Sequence, residues 1–262
     1  MSTYIRPTVD YSTFPDTDDE PMADTEDNQA LMIDTIFALR HRLEPEGHHV
    51  GGNLLVYYNP ASGLDHLSPD VFVALGSGPE RRKKWETWIE GKFPELIVEF
   101  ASPGTSDRDV GEKIDLYSRL GAEEYYIFDP IPLLQPPFQA YRRSGRRLVA
   151  QDIGPEQRIA SPVTGLIFGI VDGWLRVIDP ASGSPYPTPE EVQDLQRQAD
   201  QARRHAEHGQ RDAERGNAMP SGSRGHASTM SAPRSSSAGS TGFHPMLASQ
   251  RPIRPGTSWP RH

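Results

Sequence analysis

Two carboxylates occupy stretches otherwise built for burial. Pro69-Asp70 opens the apolar run 71–75, and Glu99 stands between Val98 and Phe100. Removing a carboxylate from water is expensive unless a cation or hydrogen-bond donors satisfy it. The pair therefore fits a shared divalent-metal site with hard oxygen ligands, suited to Mg²⁺ or Mn²⁺. The plainer alternative is that Asp70 ends a loop and Glu99 faces solvent from a sheet edge.

A helix expected over residues 106–120 adds a cation to the same region. Drawn at about 100° per residue, it gathers Val110, Ile114, Leu116, Tyr117 and Leu120 into an apolar arc of roughly 160°. Asp109 and Lys113 fall inside that arc, while Glu112, Asp115, Ser118 and Arg119 take the outer face. Four residues apart, Asp109 and Lys113 could form a local ion pair. Alternatively, Lys113 points back over the Glu99 strand, where an ammonium could orient an attacking water and neutralise charge building on a phosphate. Two carboxylates and a lysine are a minimal apparatus for metal-dependent phosphodiester hydrolysis.

Other chemistries find less support. The chain has no cysteine, which excludes disulfides, thiolate metal sites and cysteine nucleophiles. His48-His49 and His66 lack zinc-ligand spacing and read as solvated loop residues. No phosphate-binding glycine fingerprint is present, and Ser102 and Ser106 have no identifiable His and Asp partners. Two basic clusters, Arg81-Arg82-Lys83-Lys84 beside Trp85 and Trp88, and Arg142, Arg143, Arg146 and Arg147, could contact phosphates or simply be solvated.

The elements that must position these residues are legible in outline. An amphipathic helix is expected over 25–43, with Met32, Ile36, Leu39 and Leu43, backed by Ile33 and Phe37, at helical spacing. Strands are expected at 53–58, 71–75, 95–100 and 125–129, with the 106–120 helix between the last two, closed by Gly121. Further strands fall at 138–142 and 147–152 around a Ser144-Gly145 turn, and Asp172-Gly173 joins 166–171 to 174–178 as a tight hairpin. Thr188-Pro189-Glu190-Glu191 is a capping box. After it, Val192, Leu195, Ala199, Ala202, Ala206 and Ala213 trace a heptad seam, Ala-rich and interrupted by Gly209.

Composition sets the outer limits. Only 35 % of the 262 residues are hydrophobic and 25 are proline, so part of the chain is expected to be unpacked. Residues 1–22 read as a flexible acidic lead-in and 216–262 as a disordered basic tail. The seven arginines of residues 211–262 give that stretch a net +5, leaving −14 on the rest. An acidic body argues against broad nonspecific adhesion to nucleic acid. No signal-type or membrane-spanning apolar run occurs, and the expectation is a cytoplasmic chain without membrane association.

The runs PDVFVAL and PELIVEFASPGTSDRDVGEKIDLYSRLGAEEYYIFDP closely resemble the Uma-two family of restriction endonucleases, within the PD-(D/E)XK nuclease superfamily. The resemblance covers residues 24–180. It is carried by Glu99, Ser102-Pro103, Asp109, Lys113, Tyr117, Gly121, Glu124-Tyr125 and Asp129-Pro130. It implies an α/β, restriction-endonuclease-like domain over 23–182, with a mixed four-stranded central sheet flanked by helices; the heptad spacing places a separate helix at 187–215 after it. It also implies that Asp70 and Glu99 bind Mg²⁺ or Mn²⁺ and that the chain cuts DNA. The motif's usual lysine position holds Ala101, and Lys113 is the implied replacement. The superfamily's first helix often adds a polar ligand; Glu26, Asp27 and Asn28 are equally placed. The rival reading is a catalytically inactive, nuclease-like module that binds nucleic acid or a partner, with residues 188–215 pairing copies of the chain.

Overall fold

The structure, a computed structural model, describes Phe14 and residues 25–102, 111–131 and 134–217. The expected lead-in (Phe14 apart), tail and first turns of the 106–120 helix, including Asp109, lie outside the described residues.

In chain order the elements are α1 (Glu26–Leu43), β1 (His49–Gly51), β2 (Val56–Tyr57), β3 (His66–Leu67), β4 (Val71–Ala74), β5 (Trp85–Glu86), α2 (Thr87–Glu90) and β6 (Leu96–Phe100). They continue with α3 (Glu112–Leu120), β7 (Glu124–Phe128), β8 (Phe138–Ser144), β9 (Arg147–Ala150), β10 (Arg158–Ala160), β11 (Ile167–Val171), β12 (Trp174–Ile178) and α4 (Pro189–Asn217). The central sheet runs β1-β4-β6-β7-β8-β9. Within this sheet only β6 and β7 pair in parallel, with α3 in the crossover between them. The fold is thus mixed α/β, and its sheet has six strands where four were expected, because the β8–β9 hairpin extends it. That hairpin turns at Gly145-Arg146, since Ser144 pairs with Arg147, one residue later than anticipated.

Every residue of β6 and β7 is buried, as befits strands covered on both faces. Alternation divides the core into two. Val71, Val73, Leu96, Val98 and Phe100 face α1 and the small β10-β11-β12 sheet, whereas Phe72, Ala74, Ile97, Tyr125 and Ile127 face Tyr117 of α3.

Thr25 caps α1, its Oγ1 accepting from Asn28 N at 3.2 Å. The helix buries Leu31, Thr35, Ala38, Leu39 and Leu43 and leaves Ile33 and Phe37 exposed. Leu39 and Leu43 thus lie in the core as expected and Met32 and Ile36 pack against it, while the backing residues Ile33 and Phe37 do not. The expected 53–58 strand shrinks to β2, which pairs with β3 and β5 in a separate sheet; Asn53, at φ 48°, breaks the extended run. Its place at the edge of the central sheet is taken by β1. There His49 is only 4 % exposed, which corrects the solvated-loop reading of that histidine. Ser118 is also buried, accepting from Leu148 N at 2.9 Å, so the face of α3 expected to be outer lies partly under β9.

Two local signals hold closely. Asp172 and Gly173, both at positive φ, form the two-residue turn between paired Val171 and Trp174, a geometry suited to Asp-Gly. The capping box at α4 is complete: Glu191 N donates to Thr188 Oγ1 at 3.1 Å, and Thr188 N to Glu191 Oε2 at 2.8 Å. Described seam residues beyond Val192 are exposed, Leu195 at 61 %. No helix among the described residues is long and apolar enough to cross a membrane.

Candidate active site

β4 and β6 run antiparallel with Val71 opposite Val98, so one step further along the same register Asp70 comes opposite Glu99. Asp70 is fixed there by the backbone of the facing strand, its Oδ2 accepting from Phe100 N at 2.7 Å. Glu99 is 3 % exposed and belongs to the α3 face of the sheet by strand alternation.

α3 supplies the groups that make this burial tolerable. Lys113 Nζ lies 3.0 Å from Glu99 Oε1, and the Tyr117 hydroxyl donates to the same oxygen at 2.6 Å. One helical turn separates the two donors, which is why both reach one carboxylate. Gly121 ends the helix in the left-handed conformation, at φ 104°. Burial, and then the negative charge of Glu99, hold the Tyr117 phenol well above its ordinary range, so it stays a proton donor to Glu99 at any working pH. The sequence places Lys113 correctly on the sheet-facing side; its described ionic partner is Glu99.

A fourth side chain enters from α1. Asn28 is 4 % exposed and its Nδ2 lies 3.4 Å from the carbonyl of Phe100, the residue whose N–H holds Asp70. Its Oδ1 is buried without a hydrogen-bond partner among the described residues. Glu26 and Asp27 are exposed, so the structure distinguishes three residues the sequence could not. The signal was available only in part: a polar residue in phase with Leu31 and Thr35 on the buried side of α1. Amide and carboxylate oxygens are hard donors of the kind that suit Mg²⁺ or Mn²⁺. Among the described residues no group of three or more His, Asp or Glu side chains forms a metal-binding cluster.

The remaining candidates resolve into structural roles. Asp129, from the resembling segment, accepts from Ile131 N at 3.0 Å and Leu134 N at 2.6 Å and shapes the turn after β7. Arg142 pairs with Glu124 at 3.2 Å, and Arg143 binds the carbonyls of Ala122 and Ser118. In the other basic cluster, Trp85 is fully buried, Arg82 is held by Glu90, and Lys84 donates to Phe14 O at 3.1 Å. Arg81 is exposed.

Residues 19–177, more than half of the chain, match the model of the Uma2 family, described as "Putative restriction endonuclease". Among solved structures the chain is similar to one described as a putative nuclease belonging to DUF820 from Anabaena variabilis ATCC 29413. The two are 17 % identical with a TM-score of 0.42, over 54 % of this chain and 75 % of that one. No curated protein matches the chain.

Proposed function

We propose that this chain, which belongs to the Uma2 family, is a divalent-metal-dependent endonuclease that hydrolyses phosphodiester bonds in DNA. One observation carries the reading: Asp70 Oδ2 and Asn28 Nδ2 both bond the backbone of Phe100, the residue after Glu99, while Asn28 Oδ1 has no partner among the described residues and a lysine is held on Glu99. Asp70 and Glu99 would hold Mg²⁺ or Mn²⁺, with Asn28 Oδ1 as a third oxygen. The bound ion would polarise the phosphate and make attacking water more acidic.

The chain's own residues account for the rest. Both described contacts to Glu99 fall on Oε1, which leaves Oε2 for a ligand. Tyr117 locks the carboxylate rotamer without competing for charge. Lys113, half-buried beside that carboxylate, presents an ammonium that can hold a water for attack and stabilise charge on the phosphate as it develops. Ala101, 1 % exposed, has no group to do this, so the task falls to α3.

Incubating supercoiled plasmid with the protein and Mg²⁺, Mn²⁺ or EDTA tests the reading. Nicking is expected only with metal. Calorimetric Mn²⁺ binding should vanish in Asp70→Asn and Glu99→Gln; cleavage that persists in EDTA, or undiminished Mn²⁺ binding in both variants, refutes it.

The exposed heptad seam favours one addition: α4 pairs copies of the chain, weakly, because Ala knobs bury little apolar area. Sedimentation velocity should show Leu195→Arg less associated than wild type. If metal binding fails while this association holds, the inactive interaction module is the better account.

A further inference from the structure

β1 forms an edge of the central sheet, and a cavity of about 330 Å³ opens against it, a size that suits a small ligand or part of a larger one. Its wall includes three guanidinium groups, Arg40, Arg81 and Arg82, against one carboxylate, Glu44, in a chain of net charge −9. Two of the three are fixed. Arg40 donates to Val50 O at 3.2 and 3.0 Å and lies 3.3 Å from Glu44. Arg82 is held by Glu90 at 2.6 and 3.1 Å, by the carbonyls of Gly78 and Glu80, and by stacking over Trp85 at 5.1 Å. Arg81 is exposed and has no partner among the described residues.

His49 also lines the cavity. Arg82 Nη1 lies 3.1 Å from His49 Nδ1. A guanidinium only donates, so Nδ1 accepts and the ring proton sits on Nε2. That N–H is buried with no hydrogen-bond partner among the described residues, closed off from the cavity. The ring is neutral: burial, then Arg82 and Arg40, lower its pKa to about 4. Two held guanidinium groups and one free one, around a neutral ring, make a wall that matches a phosphate better than a cation or an apolar ligand.

The cavity also adjoins the candidate active site. Gly52 lies on its wall, and a Cβ placed there would come within 2.7 Å of the carbonyl oxygen of Asp70. The cavity wall thus reaches the backbone of Asp70.

We propose that the β1-edge cavity seats a backbone phosphate of the nucleic-acid strand whose scissile phosphodiester lies at Asp70 and Glu99, with Arg81 as its mobile cation. The proposal rests on the nuclease reading for the identity of the strand, but its test does not depend on cleavage. Fluorescence anisotropy of a labelled DNA oligonucleotide is measured with the full-length protein in EDTA across a salt series. Arg81→Gln should weaken binding several-fold and reduce the slope of log affinity against log salt by about one, the signature of one lost phosphate contact. Arg81→Lys should restore the slope. Arg147→Gln, on the opposite sheet edge, should leave it unchanged.

An unchanged slope in Arg81→Gln, or an equal loss in Arg147→Gln, overturns the inference. Inorganic phosphate provides the second arm. If it binds wild type but not Arg81→Gln while the oligonucleotide is indifferent to the substitution, the cavity is a free-anion site and the strand assignment is wrong. A chain that never cleaves yet shows the Arg81 slope change keeps this inference and loses the nuclease one; a chain that cleaves without it does the reverse.

Discussion

Two glutamates are buried on neighbouring strands of one sheet, and they are opposites. Glu124, at the start of β7, is 1 % exposed and saturated: Arg142 Nε at 3.2 Å, the Ser161 hydroxyl, and Val163 N at 3.4 Å all serve it. These partners stitch the central sheet to the chain around β10. Glu99, near the end of β6, is 3 % exposed and sits on the other face, with both donors crowded onto one oxygen and an unpartnered amide oxygen nearby. Burial is common to both, so burial does not mark a site. What differs is satisfaction: one carboxylate has donors on both oxygens, whereas both described donors to the other fall on one oxygen, beside a Phe100 backbone that Asp70 and Asn28 both bond.

The largest expected effect follows directly. Glu99→Gln and Asp70→Asn should abolish metal-dependent cleavage while circular dichroism reports an intact fold, because neither change removes packing volume. Activity retained in Glu99→Gln would erase the distinction between the two glutamates. Next in size is Lys113→Met, which keeps the apolar stem and removes the ammonium. Turnover should fall on the order of 10², as for loss of one electrostatic stabiliser, with Mn²⁺ affinity little changed or raised. Near-normal turnover with a lowered melting temperature would reduce Lys113 to a structural counterion of Glu99.

How far such assignments can be read from a sequence depends on where the deciding contact lies. Asp70, Glu99 and Lys113 stand out because each violates a local pattern, a carboxylate in an apolar run or a lysine within an apolar arc. The 172–173 turn and the 188–191 cap are settled by chemistry within four residues. Asn28 was out of reach because its selection over Glu26 and Asp27 depends on the carbonyl of Phe100, 72 residues away. His49 was misread for the same reason: a His pair beside Gly51-Gly52 looks like loop, and only pairing with β4 and stacking on Trp85 at 5.4 Å make it interior. Two-residue strands such as β2 carry too little alternation to reveal which sheet they join.

The saturated glutamate gives the converse prediction. Glu124→Gln keeps the shape but replaces charge-assisted hydrogen bonds with neutral ones, so urea unfolding should show a loss of about 2 kcal/mol. Cleavage per folded molecule should be unaffected. A selective loss of turnover in this variant would mean that the β10 region communicates with the active site, against the separation of the two faces.

The smallest effect isolates the donor that Glu99 shares with neither Asp70 nor Glu124. Tyr117→Phe removes one hydroxyl from a fully buried ring and leaves its contact with Tyr125, at 4.9 Å between centroids. Because the phenol is held far above its ordinary pKa, it never ionises in the assay range, and the variant should leave the pH–rate profile unmoved. What it should change is the orientation of the carboxylate. With only Lys113 on Oε1, Glu99 gains rotamer freedom, and the chain loses about 1 kcal/mol of stability from the missing hydrogen bond. Mn²⁺ affinity should fall by the roughly 10-fold to 100-fold seen when a group orienting a metal ligand is removed. If stability drops by that amount while Mn²⁺ affinity holds, Tyr117 is part of the core alone. If both fall together and turnover at saturating metal recovers, Tyr117 acts through Glu99, and the contrast between a finished and an unfinished carboxylate extends to the residues that hold each in place.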